Sequence, residues 1–535
     1  MTVIGEVSPG RAREASPDRA REVSPAEARA ALLSGREVAL LDAREEGEFG
    51  RSHIFWAAPV PLSKKEWRAR ALLPRRDVPV ICVDGGEGHA AQLAAWLLSA
   101  GYTDVAVLAG GTPAWVAAGF VAFSGVHVPS KAFGEWVEHH YGTESLDPPE
   151  LDALIRSGQP HVILDSRPMD EFRKMSIPGG ICVPGGELAY RIGDLVPDPN
   201  TTIVVNCAGR TRSIMGAESL RQAGVPNRVI ALRNGTMGWE LAGFTAARGE
   251  TATYPAGGPK SAALALERAR AFAERSGVGS VSRAEAERML AEAGRTTYAL
   301  DVRAAEEYAA GHIPGFRHAP GGQLVQATDQ WVAVRGARIL LSDDDGVRAR
   351  MSGSWLRQMG QWEVFCVEGL ADGPLETGPW RGEMPEADAV TPEAISAEEL
   401  AALLTAGQAR VVELSRSIDF RDGHIPGAVW GIRGRLGALG EGPWVVAGPD
   451  ERLCRLAAAE IGPGTRVLAG GGAAWARAGL PLAKDRQNPP DEACADWYLR
   501  PYDRNSGIED AMREYLSWEI DLVHEVARDG TSRFG

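Results

Sequence analysis

Cysteine is scarce in this chain and never paired. Six occur in 535 residues, at 82, 182, 207, 366, 454 and 494, with no CxxC and no Cys/His spacing that suits zinc. A disulfide framework is therefore excluded, and neither a metal nor an organic cofactor is expected. Long apolar runs are missing as well: none approaches the roughly 18–20 residues that span a bilayer, so a membrane is not an expected partner. The first thirty residues lack an apolar core followed by a cleavage site, which makes the cytoplasm the expected location. Clustered basic charge is also absent and the net charge is −14. Nucleic acid is not an expected partner, because phosphate binding needs a concentrated positive surface.

What is present is length and repetition. Domains run to roughly 100–200 residues, so the chain holds several. "LLDAREEGEFGRSHI" (40–54), "ILDSRPMDEFRKMSIPGG" (163–180), "ALDVRAAEEYAAGHIPGF" (299–316) and "VVELSRSIDFRDGHIPGA" (411–428) share an apolar strand, an acidic residue, a following aromatic and a turn. Helices of the type "SPAEARAALLSG", with a Ser cap and an acidic first turn, precede the copies. After each copy come a second apolar strand, a helix, a third strand and a Gly/Trp segment, degraded to "EVFCVEGLADG" in the third.

Strands alternating with helices at this spacing predict an α/β fold of four tandem modules, each a mostly parallel sheet flanked by helices. The expected boundaries are 23–125, 126–258, 275–385 and 390–485, with 259–274 a connecting helix read as a solvated spacer. Residues 1–22 are expected to be disordered. Residues 486–535 form a C-terminal helical extension rich in aromatics, for which two readings stand: a cap packed on the modules, or a lid over the active site.

Chemistry concentrates at one strand end. In "TTIVVNCAGRTRS", Cys207 follows a strand where a short loop meets a helix expected to begin near Ser213. Ligands of open α/β sheets bind at such carboxyl ends, where loop amides and a helix N-terminus cradle anions. Gly209 is read as a residue that frees the loop's backbone conformation. Arg210 and Arg212 place positive charge beside the sulfur, and these terms together predict a thiolate of lowered pKa. Cys207 is the candidate nucleophile.

The four modules resemble rhodanese domains, through the acidic-x-Arg strand, the "GHIPG" turn and the loop "CAGRTRS". The resemblance implies a thiosulfate sulfurtransferase-like enzyme that carries a persulfide on Cys207, with Ala208, Gly209, Arg210, Thr211, Arg212 and Ser213 forming the substrate-binding cradle. Sulfur would pass from thiosulfate or another persulfide-type donor to cyanide, sulfite or a thiol. Asp165 and Arg167 would be a structural ion pair. Phosphatases and arsenate reductases that share this fold use a loop one residue longer; here Arg212 stands five positions after Cys207, which favours sulfur. A non-catalytic sulfur carrier or redox-sensing scaffold is the alternative of another class.

The remaining modules place Asp84, Asp343 and Gly448 where Cys207 stands. None can form a persulfide. Cys82, Cys366 and Cys454 read as core. Glu187 and Arg191 are further candidates for the cleft, against a solvent-facing helix start. His89, Arg348 and Arg350 read as members of solvated loops, and His139 and His140 as surface residues. Modules without the nucleophile could shape the cleft, anchor a homo-oligomer, or bind a sulfur-carrying protein beside the small donor and acceptor.

Overall fold

The computed structural model of the chain describes residues 20–535, and most of the expected disordered N-terminus lies outside them. Its last residues depart from that expectation: Arg21–Val23 is an edge strand paired in parallel with Val105–Leu108. Four sheets follow one another along the chain, three with five strands and the first with six. In the second module the order is Ser145–Leu146, Val229–Leu232, Thr202–Asn206, His161–Asp165, Ile181–Cys182, all parallel, and the third and fourth repeat it. Among the sheet strands of the described residues, the one antiparallel pairing joins two modules: Val334–Arg335 of the third runs antiparallel to Val38–Asp42 of the first.

Repeated residues explain the repeated shape. The helix that opens each module carries a capping box, from Ser24 with Glu27, Asp147 with Glu150, Ser282 with Glu285, and Ser396 with Glu399. These pairs satisfy the orphan amides of the first helical turn. The tryptophan that closes the first, second and fourth modules is buried and donates its indole N–H to the chain six residues on, Trp115 to Val121 O at 2.8 Å, Trp239 to Thr245 O at 3.1 Å and Trp475 to Pro481 O at 2.8 Å. At the turn, His53, His312 and His424 stack on Phe49, Tyr308 and Phe420 with ring centroids 3.9, 3.7 and 3.8 Å apart. The second module has Ser176 there. It keeps the backbone bridge, Ser176 N donating to Ala247 O at 2.9 Å, and dispenses with the ring.

The modules are not beads on a string. One apolar core runs through the first three, with further clusters in the second and third, while the fourth takes no part in it and has clusters of its own. The helix Ala262–Ser276 belongs to this shared core rather than to solvent, which corrects the spacer expectation: Ala265, Ala269, Phe272 and Ala273 are buried, and Phe272 meets Trp355 edge-on at 5.0 Å. The tail also ties modules together. Phe534 packs on Phe133, and Gly535 N donates to Gln358 O at 2.8 Å.

The fourth module docks on the first through a buried pair in which Arg433 donates to both Glu66 oxygens at 2.7 and 2.8 Å. Removing one partner of such a pair strands a charge in low dielectric, whereas removing both does not. Arg433→Leu is expected to destabilise this interface by about 3 kcal/mol or more. Arg433→Leu with Glu66→Leu should recover most of the loss, as read by the midpoint of thermal unfolding; equal midpoints for the single and double variants would count against the pair.

Candidate functional site

The strand Thr202–Asn206 delivers Cys207 to the mouth of the second sheet, and the helix Thr211–Gln222 begins two residues earlier than expected. Cys207 is 2% exposed, and Ser213 Oγ donates to its sulfur at 3.0 Å. The loop is held from behind by the helix Gly235–Leu241: Thr236 N donates to Cys207 O at 2.9 Å and Met237 N to Ala208 O at 3.0 Å. Gly235, at φ +53°, sits against Cys207 O where a side chain would not fit. With those carbonyls taken from behind, the amides of residues 208–212 have no acceptor among the described residues. They are the orphan donors of a helix start.

The first and third modules show what such a loop holds. Asp84 puts its carboxylate into its own loop, accepting from Gly86 N at 2.8 Å and Ala90 N at 2.9 Å. Asp343 does the same with Gly346 N at 2.7 Å and Ala349 N at 3.0 Å, and burial pushes its carboxyl up to about 7. A tethered carboxylate fills the cradle in both. In the fourth module Gly448 leaves no side chain, and Cys454, in the position of Ser213, brings its sulfur to 3.0 Å from where a Cβ on Gly448 would stand. Cys82, Cys366 and Cys454 are buried, as expected of core residues.

Arginine chemistry differs from expectation. Arg210 turns away from the sulfur to Glu135, with Nε–Oε1 at 2.9 Å, and also reaches Glu138. Arg212 forms a two-point pair with Glu171, both contacts at 2.8 Å. Despite burial, which alone would raise it, Glu171 is held down to about 2 by that guanidinium. Both loop charges are therefore balanced before any ligand arrives. Burial then pushes the Cys207 thiol above its ordinary value, against the pull of Arg212 and the Ser213 hydroxyl, and the Glu519 carboxylate adds to the rise. The expected lowered thiol pKa is overturned, because the sulfur is desolvated and its arginines are neutralised.

Glu519 comes from the C-terminal extension. The helix Ile508–Asp529 lies over the loop, and Thr211 Oγ1 donates to Glu519 Oε1 at 2.7 Å. Gly209 does not use a left-handed backbone. A Cβ there would lie 3.2 Å from Glu519 Oε2 and 3.4 Å from the Tyr515 ring, so its glycine serves close approach of this roof. The extension meets both readings by position: Tyr498, Trp518 and Phe534 pack against the core of the modules, and Glu519 and Tyr515 cover the loop. Beneath it is a cavity of ≈ 610 Å³ lined by Cys207 through Arg212, Lys131, Arg500, Arg504 and Tyr515.

Asp165 and Arg167 brace the site from below. Arg167 Nε and Nη2 donate to Asp165 at 2.9 and 2.6 Å, Nη2 also reaches Met175 O at 2.5 Å, and Asn206 Nδ2 donates to Asp165 at 3.1 Å. Glu187 and Arg191, candidates for the cleft, do not line it. Glu187 pairs with Arg191 at 2.9 Å and with Arg348 of the third module at 2.9 Å. Arg348 is fully buried, and Arg350 nearly so, rather than lying in solvated loops. Lys131, Glu171, Tyr515 and Glu519 were not anticipated. Only Glu171 had a signal: the acid before the repeated aromatic pairs with the arginine five residues beyond the cradle position in two modules, Glu171 with Arg212 and Glu307 with Arg348 at 2.6 Å. The other three come from segments with no repeat to read.

Among the described residues no helix is long and apolar enough to cross a membrane, and no His/Cys/Asp/Glu cluster could hold a metal ion.

Comparison with known proteins adds a family model described as "Rhodanese-like domain", which matches residues 24–118, 147–242 and 282–370. A crystal structure of thiosulfate sulfurtransferase from Pseudomonas aeruginosa is 45% identical, with a TM-score of 0.88, over 96% of this chain and 99% of that one. The "Putative sulfur carrier protein YrkF" of Bacillus subtilis (strain 168) is 27% identical over 186 residues, 34% of this chain and 90% of that protein.

A desolvated thiol should react late in pH. Alkylation of Cys207 by iodoacetamide, followed by peptide mass spectrometry, is expected to rise through a midpoint above the roughly 8.5 of a free cysteine. Glu519→Gln, which removes the carboxylate that raises the thiol, should move the midpoint down. A midpoint below 8 in the unmodified protein would contradict the burial argument.

Proposed function

The chain belongs to the rhodanese family, and from that premise we propose that it is a sulfurtransferase whose transferred sulfur is carried by Cys207. The observation that carries this reading is the cradle itself: beside Cys207 the amides of residues 208–212 have no acceptor among the described residues, while in the first and third modules an aspartate at the same place accepts from an amide of the equivalent loop.

The Cys207 thiolate attacks the outer sulfur of thiosulfate. A bond forms from Sγ to that sulfur, the sulfur–sulfur bond of the donor breaks, and sulfite leaves with the bonding pair. The enzyme is left as Cys207–S–S⁻, a charge that the amides of residues 208–212 stabilise in the way they would any oriented anion. An acceptor nucleophile, cyanide, sulfite or a thiolate, then attacks the outer sulfur, and the Cys207 thiolate is released. Two easier steps replace one difficult transfer. Arg212, balanced by Glu171, favours the anionic forms of the sulfur without taking a proton. The likeness to a thiosulfate sulfurtransferase over nearly the whole of both chains supports thiosulfate as the donor.

A second reading, a carrier that holds persulfide sulfur for a partner without rapid turnover, draws on the likeness to YrkF and on the burial of Cys207 beneath its roof. Turnover separates the two.

Intact-protein mass spectrometry after thiosulfate is expected to show one added sulfur on the wild type and none on Cys207→Ser. Cyanide should remove it with thiocyanate released over many cycles. One stoichiometric release without cycling would favour the carrier, and sulfur retained by Cys207→Ser would exclude Cys207 as the site.

A further inference from the structure

Sulfur transfer begins with a thiolate, yet the resting sulfur is held as a thiol. Burial pushes Cys207 up, and the hydrogen bond to its sulfur comes from Ser213 Oγ, a donor that removes no proton. For Sγ to attack near neutral pH, another group has to receive that proton. The groups closest to the loop are poor candidates. Arg210 and Arg212 carry guanidiniums, which do not deprotonate in proteins. Glu171, held down to about 2 by Arg212 against its own burial, is far too weak a base. Glu135 is engaged by Arg210 at both oxygens. Glu519 has a free, buried Oε2, but a carboxylate is ordinarily about 10⁴-fold weaker as a base than a thiolate.

Lys131 differs from all of these. It projects from the helix Val128–Tyr141, lines the cavity that Cys207 opens into, and is 6% exposed. Its side-chain nitrogen makes no hydrogen bond among the described residues, and it lies 4.9 Å from the centroid of the Tyr515 ring and 4.7 Å from that of Trp518. Both rings are on the roof helix Ile508–Asp529. Two contacts bring this arrangement to the loop. Three residues beyond Lys131, a Cβ on Gly134 would lie 2.7 Å from Thr211 Cγ2, and a Cβ on Gly209 would lie 3.4 Å from the Tyr515 ring. The amine therefore stands one ring away from the glycine two residues past the sulfur. Burial pushes Lys131 down to about 8; Glu519 on the roof helix and Asp329 of the third module favour its charge, while Arg500, on the segment before that helix, and Arg212 of the loop oppose it. A base works best when its pKa lies near the working pH, and burial is the usual way a lysine reaches that range. His127, one turn earlier on the same wall, is tied at Nδ1 to Asp329 at 2.9 Å.

We propose that Lys131 is the general base of the sulfur-loading step, taking the proton of the Cys207 thiol directly or through one water and then facing the persulfide anion as an ammonium. The inference rests on the sulfurtransferase reading and adds a residue to it. In the step, the S–H bond of Cys207 breaks, its proton bonds to the Lys131 nitrogen, and its electron pair stays on Sγ. Sγ bonds to the outer sulfur of thiosulfate, the sulfur–sulfur bond of the donor breaks, and sulfite leaves with that pair. Amine, thiol and thiosulfate become ammonium, persulfide anion and sulfite, with the net charge unchanged and no further reactant. When an acceptor later takes the outer sulfur, Cys207 departs as a thiolate and no proton has to be removed from it. Lys131 thus serves the loading half of the cycle and not the unloading half.

The test uses the full chain and follows the two half-reactions apart: sulfite release in a single turnover with thiosulfate, and thiocyanate release when the preloaded persulfide meets cyanide. Lys131→Met should slow the first by about 100-fold near neutral pH, the size of effect a positioned base supplies. It should leave the second little changed, which also shows that the variant is folded. In the wild type the loading rate should rise with pH through a midpoint near 8, as Lys131 becomes neutral, and in Lys131→Met this rise should move up to the ionisation of the thiol itself. Lys131→Arg keeps the charge and holds its proton, so it should load as slowly as Lys131→Met. Ethylamine should restore loading to Lys131→Ala. Full loading by Lys131→Arg would show that charge alone matters and overturn the proposal. Equal slowing of both half-reactions in Lys131→Met, no gain from ethylamine, or a loss of loading found in His127→Gln instead would overturn it as well. Failure of the wild type to take up sulfur from thiosulfate would remove the sulfurtransferase reading on which the proposal rests.

Discussion

Converging backbone amides at the end of a strand demand an anion, and much of this molecule follows from how each module meets that demand. A helix start leaves donors that its own backbone cannot satisfy. In the first and third modules an aspartate at the end of the strand turns its carboxylate into them, closing the site with an internal ligand. In the second, the same place holds the thiol of Cys207, which in the proposed function becomes anionic and then carries a second sulfur. The fourth has a glycine, and a neighbouring cysteine sulfur occupies the space. One open cradle among four accounts for a single candidate centre in so long a chain.

The closed modules still contribute to that centre. The third supplies the helix Val347–Gln358 and Arg348, which grips Glu187 beside the candidate active loop, and shares one apolar core with the first and second. The roof is anchored in the same way, since the segment after it reaches into the first three modules through Thr531, Phe534 and Gly535. A roof fixed at both ends can carry Glu519 and Tyr515 to the loop and hold Lys131 against two rings. Burial of Cys207 under it raises the thiol.

How much of this could be read from residues alone depended on repetition. Four copies of strand, acid, aromatic and turn made the α/β modules and the Cys207 loop legible, because local rules of periodicity and capping agree with the fold at each copy. The same method failed where a contact comes from elsewhere in the chain. Arg210 and Arg212 read as charges beside the sulfur, but Glu135 and Glu171 claim them from other helices. Gly209 read as a residue that frees the loop's backbone conformation, and instead makes room for Tyr515, more than 300 residues away in sequence. The helix Ala262–Ser276 read as a solvated amphipathic spacer, yet small alanines let it pack into the core shared by the modules. Glu187 and Arg191 had the right types for a cleft and the wrong direction, which only tertiary packing decides.

The central claim is that the amides of residues 208–212 hold a sulfur carried by Cys207. A crystal soaked in thiosulfate and measured for anomalous scattering tests it most directly. The account predicts one new sulfur bonded to Cys207 Sγ, on the side facing those amides and within hydrogen-bond reach of several. A new sulfur on any other cysteine, or an extra atom on Cys207 that points away from the loop, would contradict it.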